Sequence, residues 1–171
     1  MSKFKEINAN QITENTFKLI NDDWMLITAQ KDDKVNALTA SWGGLGIMWH
    51  YNVAYIFIRP QRYTREFIDG SKTFSLSFFS DEFKKELMYF GTVSGRDEDK
   101  IKLSQLNLDY DNQIPYFSDG KLIVFCEKLY KQTMDKESFL DSKLIADNYA
   151  ENDFHVMYIG KITKVLLRQE D

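Results

Sequence analysis

Three short clusters combine hydroxyl, glycine and arginine residues, and each lies where a predicted strand ends or a predicted helix begins. Hydroxyls, free backbone N–H groups and cations donate hydrogen bonds to phosphates, and free backbone groups pair with the polar edge of a flat heterocycle. The clusters are residues 36–44, 59–64 and 94–97, the last followed by Lys100. Taken singly, each cluster also has a purely structural explanation: a glycine-rich bend for the first, solvated arginines for the second and a capped surface turn for the third. Together they predict a flat ligand that carries a phosphate.

Most other catalytic and metal-binding chemistries lack their residues in this chain. The histidines are His50 and His155, and the sequence contains no HExxH, CxxC or GxSxG motif. It also contains no GxGxxG after a predicted strand and no GxxxxGK[ST] loop, the two common nucleotide-binding fingerprints. The single cysteine, Cys126, lies in an apolar run and is predicted to be a core residue. We therefore predict no catalytic acid or base and no metal site.

The composition indicates one ordinary globular domain, assigned to residues 1–171 because no repeat, low-complexity tract or linker divides them. Lys and Arg total 22 and Asp and Glu 26, a net charge of −4 that argues against nucleic acid or an anionic membrane as partner. The N-terminus is polar, and no apolar stretch reaches the roughly 20 residues of a membrane span. We therefore expect a cytoplasmic protein. Its aromatic content of 15% suits a β-rich core, a flat-ligand pocket or a subunit interface.

The elements that must position these clusters are mostly strands, with helices inserted between them. Apolar patterns predict strands over 24–29, 35–40, 53–58, 73–79, 114–117, 120–132 and 154–167. Helices are predicted over 11–20, 63–68, 80–90 and 97–106, and residues 138–145 as loop or helix. The three glycines of 43–46 are expected to break a strand, and Gly160 to kink the last one. Short strands joined by turns are typical of a closed antiparallel barrel, not of a doubly wound sheet.

The order and spacing of these segments resemble the flavin reductase-like family over nearly the whole chain, most specifically over residues 24–100. The segments that carry the resemblance are WMLITA at 24–29, NALTASWG at 36–43, IRPQRYT at 58–64, FSLSFF at 74–79 and HVMYIGKI at 155–162. The resemblance implies a mainly β fold with inserted helices, an antiparallel split β-barrel that forms a homodimer. It also implies FMN held at the subunit interface and, as in many members, reduced by NADH or NADPH.

The resemblance further implies roles for particular residues within and beyond the three clusters. The residues expected along the flavin are Thr39, Ala40, Ser41 and Trp42, with Ser41 near the phosphate or ribityl chain. The residues expected at the phosphate and ribityl end are Arg59, Arg62, Tyr63 and Thr64, closed by Ser94, Gly95 and Arg96. Ser77 is expected to contact the ring, and His155 to lie near the nicotinamide. Residues 152–154 depart from the family's usual glycine-aspartate sequence, so a strand-end histidine at the dimer interface is the alternative for His155.

Three functions remain open from the sequence alone. A flavin reductase needs two flat rings in near contact and no obligatory side-chain acid or base, which explains the absence of a catalytic motif. A flavin-binding electron carrier without a nicotinamide site is the second function, and an aromatic lid formed by Trp42 or Trp49 would favour it over an open flavin face. The third is a barrel for another ligand such as haem, with His50 or His155 as the axial ligand. The sequence does not distinguish NADH from NADPH.

Overall fold

The computed structural model describes residues 3–169, and most of its strands form one antiparallel sheet. The strands are β1 (Phe4–Ile7), β2 (Met25–Lys31), β3 (Lys34–Ala40), β4 (Gly43–Met48), β5 (Tyr51–Ile58), β6 (Thr73–Phe78), β7 (Leu108–Asp111), β8 (Ile114–Phe117), β9 (Leu122–Thr133) and β10 (Val156–Arg168). The helices are α1 (Thr16–Lys18), α2 (Thr64–Gly70), α3 (Lys84–Thr92), α4 (Lys100–Leu103) and α5 (Ser142–Asn148). Single turns of 3-10 helix occur at Ala9–Gln11, Asp81–Phe83 and Lys136–Ser138, and a π-helical turn at Leu19–Asp23.

The large sheet runs in the order β3-β2-β6-β9-β10-β5-β4, with β1 on the far part of β10 and β7–β8 as a separate hairpin. Its central strands are apolar on both faces because both faces are covered. Met25 and Ile27 of β2 pack into the main core, whereas Leu26 between them packs with Leu87 and Phe90 of α3. The mainly antiparallel β fold with inserted helices is therefore confirmed. None of the described helices is long and apolar enough to cross a bilayer.

The sheet is open, so the expectation of a closed barrel is wrong. Strands β3 and β4 end the hydrogen-bonded order, and no described strand joins them. Helices α2, α3 and α4 pack against β3 instead, so this end of the sheet meets helices and not another strand. Of the clusters that the sequence singled out, residues 36–44 span the end of β3 and the start of β4, residues 59–64 follow β5, and residues 94–97 lie between α3 and α4.

The glycine-rich segment forms a strand, contrary to the prediction that it interrupts one. Residues Gly43–Met48 pair in register with β5. Gly43 has a φ of 156°, and a Cβ atom there would lie 2.7 Å from the carbonyl oxygen of Tyr55. Glycine is therefore needed at 43 because the two strands approach closely, a tertiary contact that single-sequence patterns do not report.

At Gly160, where the sequence predicts a kink, the pairing of β10 with β9 shifts register between Ile159 and Gly160, while the pairing with β5 continues through Gly160. A Cβ atom on Gly160 would lie 2.6 Å from Cζ of Phe74 and 2.8 Å from Cβ of Cys126. Both neighbours are fully buried. The last strand thus needs a residue without a side chain where it crosses the main core.

Gly160→Ala is expected to lower the free energy of unfolding by about 1–3 kcal/mol, because an extra methyl group in a packed core forces its neighbours to move. Urea denaturation followed by circular dichroism measures the change. Gly44→Ala is the matched control, since its Cβ would meet the Tyr55 ring at an ordinary 3.6 Å. Equal stability of the two variants would contradict the packing argument.

Candidate functional site

A cleft of about 190 Å³ opens where β3 ends, β5 ends and β10 begins. We call it the first cleft. The pairing of Val156 with Ile58 places the beginning of β10 beside the end of β5, and this brings His155 next to Arg59. The lining residues are Leu38, Thr39, Ala40, Ser41, Trp42, Phe57, Ile58, Arg59, Arg62 and His155. The structure therefore brings seven of the residues predicted from sequence into one wall.

A second cleft of about 130 Å³ lies on the other side of Arg62, which lines both. Its wall consists of β3, the turn before α2, and the loop between α3 and α4. The lining residues are Asn36, Gln61, Arg62, Tyr63, Thr64, Gly91, Thr92, Val93, Ser94, Gly95 and Lys100. This cleft contains the predicted Tyr63, Thr64, Ser94 and Gly95, and it is rich in hydroxyl and glycine residues.

Two cations line the second cleft: Arg62, which is half-buried and also lines the first cleft, and Lys100, which is buried. The Arg62 guanidinium donates to the carbonyl oxygens of Gly91 (3.0 Å) and Phe90 (3.4 Å), and the Lys100 ammonium donates to Phe90 (3.0 Å). Lys100 is only 3% exposed. Within residues 3–169, neither cation forms an ion pair with a carboxylate.

This arrangement leaves buried positive charge uncompensated. Burial, together with the nearby Arg62, lowers the pKa of Lys100 to about 8, and burial also lowers the pKa of Arg62. Buried charges are normally paired, because desolvating a lone ion costs several kcal/mol. The pair is therefore suited to bind an anion that enters the second cleft.

The wall of the second cleft is held by close contacts between β3, α2 and the loop after α3. The Asn36 amide donates to the Thr64 hydroxyl at 3.0 Å, and both residues are buried. A Cβ atom on Gly95 would lie 2.5 Å from Oδ1 of Asn36, so glycine permits this loop to reach β3. The Thr39 hydroxyl donates to the carbonyl oxygen of Leu87 and joins β3 to α3.

Arg59 lies in the first cleft with its charge already paired. Its guanidinium forms an ion pair with Asp153 at 2.6 Å and donates to the carbonyl oxygen of Asn148 at 2.9 Å. The side-chain amide of Gln61 donates to the same Asp153 carboxylate at 2.8 Å, and the hydrogen bonds from Gln61 and Arg59 hold the Asp153 pKa below its usual value. Arg59 thus fastens the segment before β10 to the end of β5.

His155 is buried in the wall of the first cleft, with 7% of its surface exposed. Its Nδ1 lies 2.8 Å from the Tyr149 hydroxyl, and the ring centroids of His155 and Trp42 are 5.1 Å apart. Burial, with a smaller effect of Arg59, lowers the pKa of His155 to about 4. The imidazole is therefore neutral at physiological pH.

Several residues singled out from the sequence lie elsewhere. Ser77 is fully buried outside both clefts, where its hydroxyl accepts from the backbone N–H of Phe117 at 3.2 Å. This structural role takes Ser77 out of the candidate site. Arg96 is exposed, pairs with Glu66 and donates to the carbonyl oxygen of Gln61, so it lies outside the second cleft.

The other candidate ligands of the sequence are also apart from the clefts or engaged in the core. Trp49 and His50 form the two-residue turn between β4 and β5, both with positive φ, and the Trp49 ring packs 6.1 Å from that of Tyr130. Cys126 is completely buried, and burial raises the pKa of its thiol. In the described part of the chain, no group of three or more His, Cys, Asp or Glu side chains is placed to hold a metal ion.

The chain matches the family described as the flavin reductase like domain over residues 18–171, and it therefore belongs to the flavin reductase-like family. This confirms the resemblance found in the sequence. No curated protein matches the chain.

Solved structures with the same fold include both flavin reductases and flavoredoxins. An FMN-binding domain of a flavin reductases-like enzyme from Shewanella baltica OS155 is 14% identical, with a TM-score of 0.71 over 96% of this chain and 77% of that one. Flavoredoxin from Methanosarcina acetivorans is 20% identical, with a TM-score of 0.66 over 99% and 77%. The flavin reductase PheA2 is 16% identical, with a TM-score of 0.64 over 87% and 81%. At these identities the likeness establishes the fold.

Proposed function

We propose that this protein binds FMN across the two clefts and is an oxidoreductase that accepts hydride from NADH or NADPH. The observation that carries the proposal is the pair formed by half-buried Arg62 and buried Lys100, which line the second cleft and have no carboxylate partner among the described residues. A phosphate supplies the missing negative charge. The structural relatives, several of which are FMN-binding proteins by name, support the same ligand.

The residues proposed to bind FMN divide between the clefts according to their chemistry. The phosphate and ribityl chain belong in the second cleft, where hydroxyls and glycine backbone surround the cations. The proposed contacts there are Arg62, Tyr63, Thr64, Ser94 and Gly95, together with Lys100, which follows the third cluster and lines the same cleft. The flavin ring is proposed to lie along the backbone of Thr39, Ala40, Ser41 and Trp42 in the first cleft. Arg96 supports the outer side of Tyr63, 4.7 Å from that ring.

Bound FMN would supply the hydride-accepting chemistry, and the protein has to bind, orient and shield the reacting rings. Arg62 lines both clefts, and its positive charge would favour an electron-rich flavin. His155 and Trp42 form an uncharged wall of the first cleft. The Asp153 carboxylate is paired with Arg59 of the same cleft. None of these roles requires a proton to leave a side chain, in agreement with the low pKa of His155.

The second candidate function is an electron carrier with no nicotinamide site of its own. Trp42 favours it, because its ring packs against His155 at the first cleft and is a candidate lid over a bound flavin. The likeness to flavoredoxins in fold supports it as well. The two functions differ in whether a second flat ring can stack on the flavin.

An anaerobic absorbance titration of FMN-loaded protein, first with NADH and then with NADPH, separates these functions. Rapid bleaching of the bound flavin, faster than that of free FMN in the same buffer, supports the reductase and identifies its donor. Flavin that is retained but stays oxidised with both donors favours the carrier. Protein that retains no flavin after desalting would contradict the proposal of FMN binding.

We also propose that the protein is a cytoplasmic homodimer joined through the β4–β5 hairpin. The hairpin exposes large apolar side chains at Ile47, Met48, Trp49 and Tyr51. Contiguous exposed apolar surface of this kind is typical of protein interfaces. The hairpin begins directly after Trp42 of the first cleft, so a second subunit on it would lie beside the proposed flavin site.

Ile47→Asp is expected to convert the dimer into monomers, because it places a charge in the apolar surface where Ile47 is 67% exposed. Sedimentation velocity measures the change, and retention of FMN after gel filtration should fall with it. Leu140→Asp is the control, since Leu140 is fully exposed on the loop between β9 and β10. A dimer that persists in Ile47→Asp would place the interface elsewhere.

A further inference from the structure

The segment between β9 and β10 carries a cluster of aromatic rings. One of them, Tyr149, contacts His155 of the first cleft through its hydroxyl group. Tyr149 packs 4.9 Å from Phe154 and 5.6 Å from Phe139, centroid to centroid. The cluster buries Tyr149 to 5% exposure and directs its hydroxyl to Nδ1 of His155 at 2.8 Å. No motif or spacing points to a role for Tyr149, which precedes His155 by six residues.

A neutral imidazole carries one proton, and the partner at Nδ1 decides which nitrogen holds it. The Tyr149 hydroxyl has two acceptors in reach, Nδ1 of His155 at 2.8 Å and the thioether sulfur of Met134 at 3.8 Å. An imidazole nitrogen is a much better acceptor than a thioether sulfur, which is weak. The hydroxyl therefore donates to Nδ1, and the ring proton resides on Nε2.

The His155 ring is also fixed in orientation. The backbone carbonyl oxygen of His155 accepts from the backbone N–H of Met134 at 2.9 Å, and the Trp42 ring packs against the imidazole. The charged groups that face the pair are Arg59, 5.2 Å from the Tyr149 ring, and Asp153, which neutralises Arg59. Among residues 3–169, Nε2 has no hydrogen-bond partner, and His155 lines the first cleft. Nε2–H is thus left to a molecule bound there.

We propose that Tyr149 is a positioning residue that makes His155 a hydrogen-bond donor, through Nε2–H, to a carbonyl or carboxamide oxygen of the redox partner that stacks in the first cleft. The proposal rests on the proposed function for the presence of that partner. A neutral donor suits a neutral amide oxygen, and it adds no charge that would compete with Arg62 and Lys100 for an anion. The Nε2–H donor thus favours redox partners that carry such an oxygen next to the reactive ring.

Nuclear magnetic resonance tests the positioning without any flavin or nicotinamide. Long-range ¹H–¹⁵N spectra of the full-length, ¹⁵N-labelled protein report which ring nitrogen of each histidine is protonated, and His50→Asn assigns the His155 signals. We expect His155 to be protonated at Nε2 alone, and Tyr149→Phe, which keeps the ring and removes the hydroxyl, to yield a mixture of tautomers. A His155 protonated at Nδ1, or a tautomer unchanged in Tyr149→Phe, would overturn the proposal.

Steady-state flavin reduction tests the donor role. His155→Phe is expected to raise KM about 5-fold for the reducing nicotinamide, the value of one neutral hydrogen bond, with kcat nearly unchanged. Tyr149→Phe should raise KM by less, because part of its tautomer mixture keeps Nε2–H. The thionicotinamide analogue, whose sulfur is a poor acceptor, should show less than about a 2-fold change. His155→Gln keeps an N–H near the position of Nε2 and should restore most of the affinity.

The outcomes separate this inference from the proposed function. Equal rises of KM for the carboxamide and thioamide donors would show that His155 acts only by packing, and would overturn the donor role. A protein that binds FMN but is reduced by neither nicotinamide would contradict the reductase function, whereas the tautomer spectrum would still decide the role of Tyr149.

Discussion

Lys100→Met is expected to weaken FMN binding about 10- to 100-fold, because it removes one charge-assisted hydrogen bond to the phosphate. The same change should stabilise the FMN-free protein, since the buried ammonium group has no carboxylate partner among the described residues and only one carbonyl acceptor. Methionine has a similar length and fills the same space without a charge. A substitution that harms binding and helps folding is typical of a binding-site residue.

The pH dependence of this effect has a definite sign. The pKa of Lys100 is about 8 in the folded protein, below its ordinary value of 10.5. Between these two values the unfolded chain holds the proton and the folded protein does not, so the stability of the flavin-free protein rises with pH. Lys100→Met should lack that rise. Urea titrations at pH 7 and pH 9.5 measure both variants.

Fluorescence titrations with FMN and with riboflavin complete the test of Lys100. If the cation binds the phosphate, Lys100→Met loses affinity for FMN and keeps its affinity for riboflavin. Lys102→Met is the matched control, because Lys102 is exposed on the same helix. An equal loss for riboflavin would place the cation pair at the flavin ring and contradict the assignment of the phosphate to the second cleft.

Asp23→Ala is expected to lower the free energy of unfolding by about 2 kcal/mol, because it removes the charge-assisted hydrogen bonds between a buried carboxylate and two partly exposed lysines. The Asp23 carboxylate is almost completely buried and pairs with Lys18 at 2.5 Å and Lys121 at 2.6 Å. It thereby joins the N-terminal helical segment to the beginning of β9. Burial alone would raise the pKa of Asp23, but the hydrogen bonds from Lys121 and Lys18 lower it overall.

The stabilisation by Asp23 is present above the ordinary carboxyl pKa of 3.8 and is lost as the pH falls through the lower pKa of the folded protein. Chemical denaturation at pH 7 measures the main effect, and acid titration measures the shift of the acid-unfolding midpoint upward in Asp23→Ala. Asp22→Ala is the control, since Asp22 is exposed next to it and forms no ion pair with a described residue. A loss as large in Asp22→Ala would show that the turn, not the ion pair, is responsible.

The strands that carry the site follow from local patterns. Strands β2, β3, β5, β6, β9 and β10 lie within a few residues of their predicted positions, because each is an apolar or alternating run bounded by turn residues or proline. The clusters at the ends of β3 and β5 could also be predicted from the sequence, because they consist of residue types at short spacing. Glycine, arginine and hydroxyl residues are seldom needed together at a strand end for structural reasons. The repetition of this combination in three clusters indicated a flat ligand that carries a phosphate.

Local patterns failed where a distant contact decided the outcome. Residues 43–48 form a strand because β5 accepts the glycine backbone at close range, and the sheet stays open because helices pack against β3. Strands β1 and β7 were not predicted, since each is only four residues long and depends on its partner strand for its pairing.

The sequence by itself determined the family, the main strands and the chemical composition of the clusters, because all three reside in residue types and their spacing. Only the tertiary structure decided which polar residues became site residues. Lys100 follows the third cluster in the sequence, but its burial beside Arg62 and its hydrogen bond to Phe90, ten residues earlier, are decided by the fold. Ser77 reads as a ligand contact until Phe117, forty residues later, is seen to use its hydroxyl. The burial of a polar side chain and the identity of its hydrogen-bond partner depend on residues that the fold brings together from distant parts of the chain. The spacing of residues in the sequence does not specify these contacts.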